Sequence, residues 1–513
     1  MSIKSNILKT SIFATGLSGI VAQYILSTLA SYFLGDSTVQ WALTVSIMLF
    51  AMGLGARVSK YIDDNLLSKF ILLEFTLSIF VSFSSLFVYL FASYSIYLGF
   101  LIYALTITIG FLIGLEIPIV IRLNDQFENI KVNISTILEK DYYGSLIGGI
   151  FFAFVGLPYL GLTYTPFVLG FVNFCVAFLL FFMLYKESGE KYRKHIIIFS
   201  TFIVIAISLG ITYAKPIILF GEQKRYVEKV VLAEQSKYQR IVITQWKDDY
   251  YLFINGNKQL STVDEQMYHE PLVHPIMGLA KEHSNILILG GGDGCAVREV
   301  IKHKGVKHIT LVDLDPEMTK LAKENKILLG INKGSLFDKR VKIINKDGLN
   351  FLEQSKEFYD VIIVDLPDPR TIELAKLYSH EFYHLCKYRL KTNGFIITQS
   401  GSPYYASRAF KTINKTIQSA GFATLPIHNQ VLSFGEWGWV IGAKNMTAPE
   451  LKSKFLNVKF DGIKTRWINE EALSLLSSFG KDIFDKDTTK LMPNKISNPI
   501  LYRYYLGGQW DLY

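Results

Sequence analysis

The sequence predicts three parts in order: a multi-span α-helical membrane domain, a small antiparallel β domain, and an α/β domain with a Rossmann-like sheet. Half of the 513 residues are apolar, and the mean hydropathy of +0.28 is high because long apolar runs fill the chain before residue 220. Between residues 228 and 262 apolar and polar residues alternate as they do in strands. From residue 286 short apolar runs alternate with helix-length segments, which is typical of a parallel sheet covered on both faces.

Seven apolar runs in the N-terminal part are each long enough to cross a hydrocarbon layer, which takes roughly 20 helical residues. A cleaved signal peptide is disfavoured for the first run, because that run is too long and further runs follow it. We therefore predict a membrane domain over residues 1–220. The runs cover residues 11–34, 39–56, 70–93, 97–121, 144–162, 165–185 and 195–219.

Basic residues indicate which connections between the runs face the cytoplasm. Lys and Arg cluster before the first run and in every second connection after it, and the intervening connections carry almost none. By the positive-inside rule the N-terminus is cytoplasmic, so seven complete spans would place residue 220 outside the cell. The clusters are Lys4 and Lys9, then Arg57, Lys60 and Lys69, then Arg122, Lys131 and Lys140, and finally Lys186, Lys191, Arg193 and Lys194.

The formal net charge of +9 does not indicate nucleic-acid binding, because the sequence has no arginine-rich patch and no basic patch with interleaved aromatic residues. Basic loops beside an anionic lipid surface explain the excess. We expect a lipid bilayer of the plasma membrane as a partner, and no nucleic acid. Cys175, Cys295 and Cys386 lie far apart without a CxxC pair, which supports neither a disulfide framework nor a zinc site.

The segment 225–265 is predicted to form the small antiparallel sheet. Its strand-like stretches include DDYYLFINGNKQLS, in which Asn255-Gly256 is typical of a tight hairpin turn. The α/β domain follows over residues 266–445, and residues 446–513 form a C-terminal extension with few recognisable signals. The predicted strands of the α/β domain are ILIL, HITLVDLD, VKIIN, DVIIVDL and GFIITQS.

Ligands of such sheets bind outside the carboxyl ends of the strands, where this sequence places glycines and acids. The first strand runs into a glycine-rich loop that contains Asp293, and the second ends at Asp313, 21 residues beyond Gly292. The third is followed by Asp347-Gly348, where an adenine amino group would lie, and the fourth carries Asp365 and Asp368 at its tip. The glycines of the loop are Gly290, Gly291, Gly292 and Gly294.

The acid within the glycine-rich loop distinguishes between ligands. Glycines let the backbone turn sharply and approach a ligand closely, and Asp313 suits the two hydroxyls of a ribose. By itself such a loop also occurs as a tight packing turn. Asp293 would repel the pyrophosphate of a nicotinamide or flavin cofactor and the methionine carboxylate of S-adenosylmethionine. Decarboxylated S-adenosylmethionine carries an aminopropyl ammonium there instead, which Asp293 would attract.

Six motifs resemble, in order and spacing, those of the polyamine aminopropyltransferase (spermidine synthase) family. The similarity covers about residues 230–443, and the apolar N-terminal region resembles the family's membrane-embedded branch. The resemblance implies a methyltransferase-type Rossmann-like domain that moves an aminopropyl group from decarboxylated S-adenosylmethionine to a polyamine and releases methylthioadenosine. The motifs are YHEPLVHP at 268–275, GGGDGCAVREVIKH at 290–303, VDLDPE at 312–317, DGLNFL at 347–352, DVIIVDLPDP at 360–369 and LYSHEFYHLCKYRLKTNGFIITQ at 377–399.

The resemblance implies roles for single residues. Asp365 matches the catalytic base, and Asp368 matches the second acid, which holds the diamine. The sulfonium leaves readily, so alignment of the amine and removal of one proton suffice, and no metal or bound cofactor is expected. The positions that match donor contacts are Gln239, His269, Asp293, Asp313, Asp347 and Gly348, and those that match acceptor contacts are Tyr268, His269, Asp293, Asp365 and Asp368.

The sequence departs from the family pattern at three places, of which the last two leave the acceptor amine open. Asp313 stands where Glu is usual, and RTIELAK follows Asp368-Pro369 in place of a segment that contains GP. The acceptor-side tyrosine has no match in VLSFGEWGW at 431–439, where Leu432 or Phe434 falls instead. We expect Glu436 to add to the negative charge that Asp293 and Asp368 offer to cationic amines.

The expected function is therefore synthesis of spermidine from putrescine, or of a related polyamine. An S-adenosylmethionine-dependent methyltransferase and a non-catalytic polyamine transporter or sensor are the alternatives, and a homo-oligomer is left open. Because the donor is made in the cytosol, we expect the catalytic domain to face the cytoplasm. That orientation requires one incomplete span, either the run 144–162 or the last run, which Lys215 and Pro216 interrupt.

Overall fold

A computed structural model of the chain describes residues 3–35, 37–92, 95–185, 190–480, 483–484 and 490–510. Lys186 of the last basic cluster lies outside these residues. The chain divides into two compact units, Met1–Thr244 and Gln245–Tyr513. The boundary falls within the segment 225–265, which the sequence predicts as a domain of its own.

Long helices make up most of the first unit. Six helical stretches among the described residues are long and apolar enough to cross a membrane, and one of them, Ile130–Met183, contains two helices. The seven predicted apolar runs therefore correspond to seven helices. These are α1 (Ile3–Leu34), α2 (Ser37–Val58), α3 (Leu66–Phe91), α4 (Ser95–Asn124), α5 (Ile130–Phe151), α6 (Gly161–Met183) and α7 (Glu190–Gln223).

The stretch Ile130–Met183 is a helical hairpin. A π-helical segment, Phe152–Leu160, follows α5, and Gly161 at its end has a φ of +61°. Thr165 Oγ1 donates a hydrogen bond to the carbonyl of Gly156 at 2.9 Å. Nine residues of straight helix would separate the two by roughly 13 Å. The chain therefore turns back between α5 and α6.

Helix α5 lies along α1 without a gap. A Cβ on Gly144 would come within 2.0 Å of the carbonyl oxygen of Phe13, and one on Gly148 within 2.4 Å of that of Leu17. Only glycine permits such close backbone contact. The run 144–162 thus comprises the end of α5, the π-helical segment and the start of α6, and the expectation that it is an incomplete span stays a prediction.

Helix α7 is continuous through Lys215 and Pro216, where the sequence predicts an interruption. Near its end Glu222 accepts a hydrogen bond from Tyr32 Oη at 3.0 Å, close to the C-terminus of α1. Gly221 lies against the carbonyl of Tyr89, close to the C-terminus of α3, where a Cβ would come within 2.2 Å. Helices α1, α3 and α7 therefore end on the same side of the first unit.

Four short strands occupy the segment that the sequence predicts as a small sheet. They are β1 (Lys229–Gln235), β2 (Arg240–Trp246), β3 (Asp249–Ile254) and β4 (Asn257–Ser261). Strands β3 and β4 pair antiparallel in the second unit, and Ile254 lies opposite Asn257. Asn255 and Gly256 both have positive φ, 50° and 78°, as a two-residue hairpin turn requires. The predicted turn is confirmed.

The second unit is built on a seven-stranded sheet in the order β10-β11-β9-β8-β5-β6-β7. The five predicted strands are parallel, whereas β11 is antiparallel to β9 and pairs antiparallel with β10 in an edge hairpin that was not predicted. Pro426, His428 and Gly438 interrupt the apolar residues of its two strands, which therefore lack the continuous apolar pattern of the predicted strands. The strands are β5 (Asn285–Gly290), β6 (His308–Asp313), β7 (Val341–Asn345), β8 (Tyr359–Asp365), β9 (Leu390–Gly401), β10 (Ala423–Val431) and β11 (Gly435–Ala443).

Helices cover both faces of this sheet. Along β5 the side chains of Ile286 and Ile288 belong to one buried apolar cluster, and those of Leu287 and Leu289 belong to another. This alternation explains why the strands are apolar at every position. The helices are α8 (Glu265–Leu279), α9 (Cys295–Val300), α10 (Pro316–Glu324), α11 (Lys326–Asn332), α12 (Gly348–Gln354), α13 (Ile372–Ala375), α14 (His380–Arg389), α15 (Ser407–Ser419), α16 (Ala448–Leu456), α17 (Glu470–Leu476) and α18 (Leu501–Leu506).

Candidate active site

The parallel strands bring most of the predicted residues to one edge of the sheet in the second unit. Gly290 ends β5 and lies in register with Asp365, which ends β8. Asp313 ends β6, and Asp347 follows β7. The carboxyl ends of adjacent strands thus place the glycine-rich loop between the Asp313 and Asp365 carboxylates.

Backbone contacts explain the glycines of the loop. Gly290 and Gly291 have φ of +81° and +64°, and the N–H of Gly291 donates to the carbonyl of Asp365 at 2.9 Å. A Cβ on Gly290 would lie 2.1 Å from that carbonyl oxygen, and one on Gly292 would lie 2.5 Å from Asp313 Oδ2. Larger residues would therefore push the loop away from both acids.

Asp313 holds the loop through both oxygens of its carboxylate. The N–H of Gly292 donates to Oδ2 at 3.1 Å, and the N–H of Asp315 donates to Oδ1 at 2.8 Å. Burial raises the pKa of Asp313 to about 6, although these hydrogen bonds oppose the shift. Contact of Asp313 with a ribose stays a prediction.

Asp293 lies at the tip of the loop and is partly buried. Its Oδ1 accepts a hydrogen bond from the N–H of Cys295 at 2.7 Å, and its carbonyl accepts one from Asn332 Nδ2 at 2.8 Å. Gly294, with a φ of +84°, directs the chain into α9. The acid is thus held by the loop, and its negative charge raises the pKa values of His269 and Asp365.

Tyr268 contacts the predicted base directly. Its hydroxyl donates to Asp365 Oδ1 at 2.7 Å, and its ring packs edge-on against Trp439 with centroids 5.3 Å apart. Burial raises the pKa of Asp365 to about 6, with His269 lowering it and Asp293 raising it further. Asp365 is therefore mainly a carboxylate at neutral pH, yet basic enough to accept a proton.

His269 is bound to a buried ion pair that the sequence analysis did not identify. Its Nδ1 lies 2.9 Å from the carbonyl of Glu265 and 3.0 Å from Glu265 Oε2. Arg298 donates to both oxygens of Glu265, at 2.9 and 2.6 Å. The four-residue spacing of Glu265 and His269 on α8 is a signal that would have revealed the pair.

This ion pair fixes the charge of His269. Burial acts against the charged imidazolium, but the hydrogen bond and charge of Glu265 raise the pKa of His269 to about 9. Burial likewise opposes ionisation of Glu265, whose bonds to His269 and Arg298 lower its pKa to about 2. His269 is thus positive at neutral pH and does not itself attract an ammonium, so its predicted contact with amine groups stays a prediction.

Asp368 is buried, and other side chains surround its carboxylate. Tyr505 Oη donates to Oδ2 at 2.6 Å, and Gln399 Nε2 lies 3.3 Å from Oδ1. Arg370 Nη2 lies 3.7 Å from Oδ2. Burial raises the pKa of Asp368, and the bonds to these three groups oppose the shift. Tyr505 and Gln399 were missed, because nothing local in the sequence links them to Asp368.

The remaining predicted residues have other partners or lie elsewhere. Asp347 caps α12 by accepting a hydrogen bond from the N–H of Asn350 at 3.0 Å, and it pairs with Lys376 at 3.1 Å. Gly348 begins that helix. Gln239 belongs to the first unit, between β1 and β2. The donor-binding roles of Gln239, Asp347 and Gly348 stay predictions.

Glu436 does not offer a free charge to an amine. It forms an ion pair with His428 Nδ1 across the β10–β11 hairpin. The expectation that Glu436 adds to a negative pocket is therefore not supported by its contacts. Phe434 is buried against Tyr268, with ring centroids 6.2 Å apart, whereas Leu432 is exposed.

In the described part of the chain, two buried groups have a spacing that would suit a metal ion. In the group of Glu265, His269 and Cys295, Arg298 already neutralises the carboxylate of Glu265. In the group of Glu270, His274 and Glu299, the carboxylate of Glu270 accepts three backbone hydrogen bonds at 2.7 to 2.8 Å. The donors are the N–H groups of Arg466, Trp467 and Ile468. These bonds already compensate the burial of Glu265 and Glu270. The groups are Glu265, His269 and Cys295, and Glu270, His274 and Glu299.

Comparison with known proteins gives matches over the second unit and over the whole chain. Residues 265–454 match the family model described as spermine/spermidine synthase domain. Polyamine aminopropyltransferase 2 of Aquifex aeolicus is 43% identical over 505 residues, which are 98% of each chain. Polyamine aminopropyltransferase of Oceanobacillus iheyensis is 38% identical over 515 residues, 99% of this chain and 98% of the other. The crystal structure of spermidine synthase from Thermotoga maritima is 27% identical and covers 51% of this chain and 88% of its own, with a TM-score of 0.45.

Proposed function

The chain belongs to the polyamine aminopropyltransferase family, and we propose that its acceptor is putrescine, which it converts to spermidine. The enzyme transfers the aminopropyl group of decarboxylated S-adenosylmethionine to an amine. One observation supports the assignment to this site above all others. Two acids three residues apart, Asp365 and Asp368, are held at one strand end by separate tyrosine hydroxyls, those of Tyr268 and Tyr505.

In the proposed mechanism the two acids have separate tasks. The acceptor nitrogen attacks the methylene carbon next to the sulfonium, the carbon–sulfur bond breaks, and methylthioadenosine leaves with the bonding electrons on sulfur. Asp365 accepts the proton that the attacking amine loses, as its pKa of about 6 permits. Asp368 binds the distal ammonium of the acceptor. Asp293 attracts the ammonium of the donor, which aligns the reacting carbon.

We expect putrescine to be the preferred acceptor. The purified full chain, supplied with labelled decarboxylated S-adenosylmethionine, is assayed with putrescine, cadaverine, spermidine and spermine, and the products are identified by mass. Spermidine should form from putrescine with the highest kcat/KM of the four reactions. A higher value for spermidine or spermine would contradict the proposed acceptor without affecting the reaction type.

We also infer that the first unit is embedded in the plasma membrane. Its helices expose large apolar side chains, among them Phe100 at 77% and Phe182 at 73% of their maximal accessibility. Ile198 and Phe50 are exposed to 69% and 67%. Soluble surfaces rarely carry so many exposed apolar groups, whereas hydrocarbon accommodates them.

The second unit is proposed to face the cytoplasm, because the charged donor is made there and crosses a hydrocarbon layer poorly. Loop charges favour a cytoplasmic N-terminus, and seven complete spans would then lead outside, so the two arguments conflict. We give donor supply the greater weight. A reporter fused after residue 513 should be active in the cytoplasm, with a fusion in the basic connection near Lys131 as reference. Activity only in the external compartment would overturn this orientation and imply export of the donor.

A further inference from the structure

The C-terminal segment 490–510 contributes to the surroundings of Asp368. Tyr505 on α18 is fully buried and donates its hydroxyl to Asp368 Oδ2 at 2.6 Å, across 137 residues of sequence. The Tyr505 ring lies against Gly401 at the end of β9, where φ is +69° and a Cβ would come within 3.3 Å of the ring. Trp510 Nε1 donates to the carbonyl of Tyr505 at 2.8 Å. The ring and the backbone of Tyr505 are therefore both held, which keeps the hydroxyl directed at Asp368.

Asn494 fixes this segment beneath the loop that follows Asp368. It is fully buried, and its Nδ2 donates to the carbonyls of Ala375 at 2.8 Å and Tyr378 at 3.2 Å. Its Oδ1 accepts a hydrogen bond from the N–H of Leu501, the first residue of α18, at 3.2 Å. Every polar atom of the amide is thus used to position the helix that carries Tyr505.

Arg370 adds a positive charge to the same place. Its guanidinium lies 5.3 Å from the ring centroid of Tyr505 and 5.8 Å from that of Trp510, distances typical of cation–π contacts. One of its nitrogens is 3.4 Å from the Tyr505 hydroxyl, and the same nitrogen lies 3.7 Å from Asp368. The aromatic residues of the C-terminal segment thus hold a cation next to the acid that binds the acceptor.

We infer that the C-terminal segment forms the distal wall of the acceptor site, with Tyr505 as a positioning residue and Arg370 as a specificity residue; the inference rests on the proposed function. Residues 431–439 offer only Leu432 or Phe434 where an acceptor-side tyrosine was expected, and Tyr505 provides a hydroxyl to Asp368 from another part of the chain. A diamine keeps one ammonium after its attacking nitrogen loses a proton, and Asp368 neutralises it. A triamine carries a further ammonium, which Arg370 repels.

Tyr505→Phe tests the positioning role. Loss of the hydroxyl leaves Asp368 less well oriented, so KM for putrescine should rise about tenfold while kcat stays within about twofold. The affinity for methylthioadenosine should not change, because the donor side is intact. Tyr502→Phe is the matched control on α18, since the Tyr502 hydroxyl contacts Arg503 instead of Asp368. An unchanged KM for putrescine in Tyr505→Phe would refute the positioning role.

Arg370→Gln tests the specificity role. The Arg370 side chain is partly exposed, so this variant should fold and keeps the inference testable if Tyr505→Phe unfolds. The ratio of kcat/KM for putrescine to that for spermidine should fall about tenfold when the charge is removed. An unchanged ratio would refute exclusion by Arg370.

Direct amine binding separates this inference from the proposed function. Equilibrium binding of putrescine and spermidine is measured on wild type and both variants saturated with methylthioadenosine. Tyr505→Phe should weaken putrescine binding, and Arg370→Gln should strengthen spermidine binding relative to putrescine. If the wild type makes no spermidine but the variants shift binding in these directions, the proposed acceptor fails and the distal wall stands. If the wild type makes spermidine and neither variant alters amine binding, the distal wall fails.

Discussion

Asp365→Asn is expected to lower kcat by about 10²- to 10⁴-fold, the range that a general base contributes. The substitution keeps the shape of the side chain and its acceptor oxygen for the Tyr268 hydroxyl, which lies 2.7 Å from Oδ1. The substitution removes the proton acceptor together with its negative charge. Methylthioadenosine, which is uncharged, should therefore bind with nearly unchanged affinity, as measured by calorimetry.

The control for this variant is Asp338→Asn. Asp338 pairs with Arg340 just before β7 begins, so it lies at the amino end of that strand. The predicted site lies at the carboxyl ends of the strands. Its substitution should leave kcat unchanged. Wild-type turnover in Asp365→Asn, with the control also active, would remove Asp365 from the mechanism.

The same assignment predicts how the rate depends on pH. Asp365 must be ionised to accept the proton, and burial raises its pKa to about 6. The carboxylate fraction, and with it kcat, should increase from pH 5 to pH 7 and then level off. The increase should be absent from the residual activity of Asp365→Asn.

Asp293→Asn is expected to weaken binding of decarboxylated S-adenosylmethionine by roughly 10- to 150-fold, because a hydrogen bond to a charged group contributes about 1.5 to 3 kcal/mol. An asparagine oxygen can still accept the hydrogen bond from the N–H of Cys295, so the loop should keep its conformation. The loss should come from charge alone.

Methylthioadenosine provides the internal control for Asp293. It has the same nucleoside but lacks the aminopropyl ammonium, so its affinity should stay within about twofold of the wild-type value. Equal losses for the two ligands would mean that Asp293 supports the nucleoside site as a whole and does not recognise the ammonium.

Local sequence patterns were sufficient to predict the central part of the second unit. Continuous apolar strands, each ending in a glycine or an acid, placed Gly290, Asp313 and Asp365 at one edge, because parallel strands all end on the same side. The hairpin turn at Asn255-Gly256 was predictable for a similar reason, since few residues tolerate two consecutive positive φ angles.

Contacts between distant parts of the chain were not predictable in this way. Tyr505 reaches Asp368 across 137 residues, and no periodicity or motif connects the two. The bond between Glu436 and His428 depends on the antiparallel register of β10 and β11, which itself was not predicted. Charge alone suggested a free acid at Glu436, whereas the register gives it a partner.

The central claim is that this site moves an aminopropyl group from the decarboxylated donor, and the fate of labelled carbon tests it most directly. The purified chain is incubated with putrescine and decarboxylated S-adenosylmethionine labelled in the aminopropyl group, and in parallel with S-adenosylmethionine labelled in the methyl group. We predict labelled spermidine and an equal amount of methylthioadenosine from the first donor, and no labelled amine from the second. Label transferred from the methyl group, or an aminopropyl label that never reaches an amine, would contradict the account.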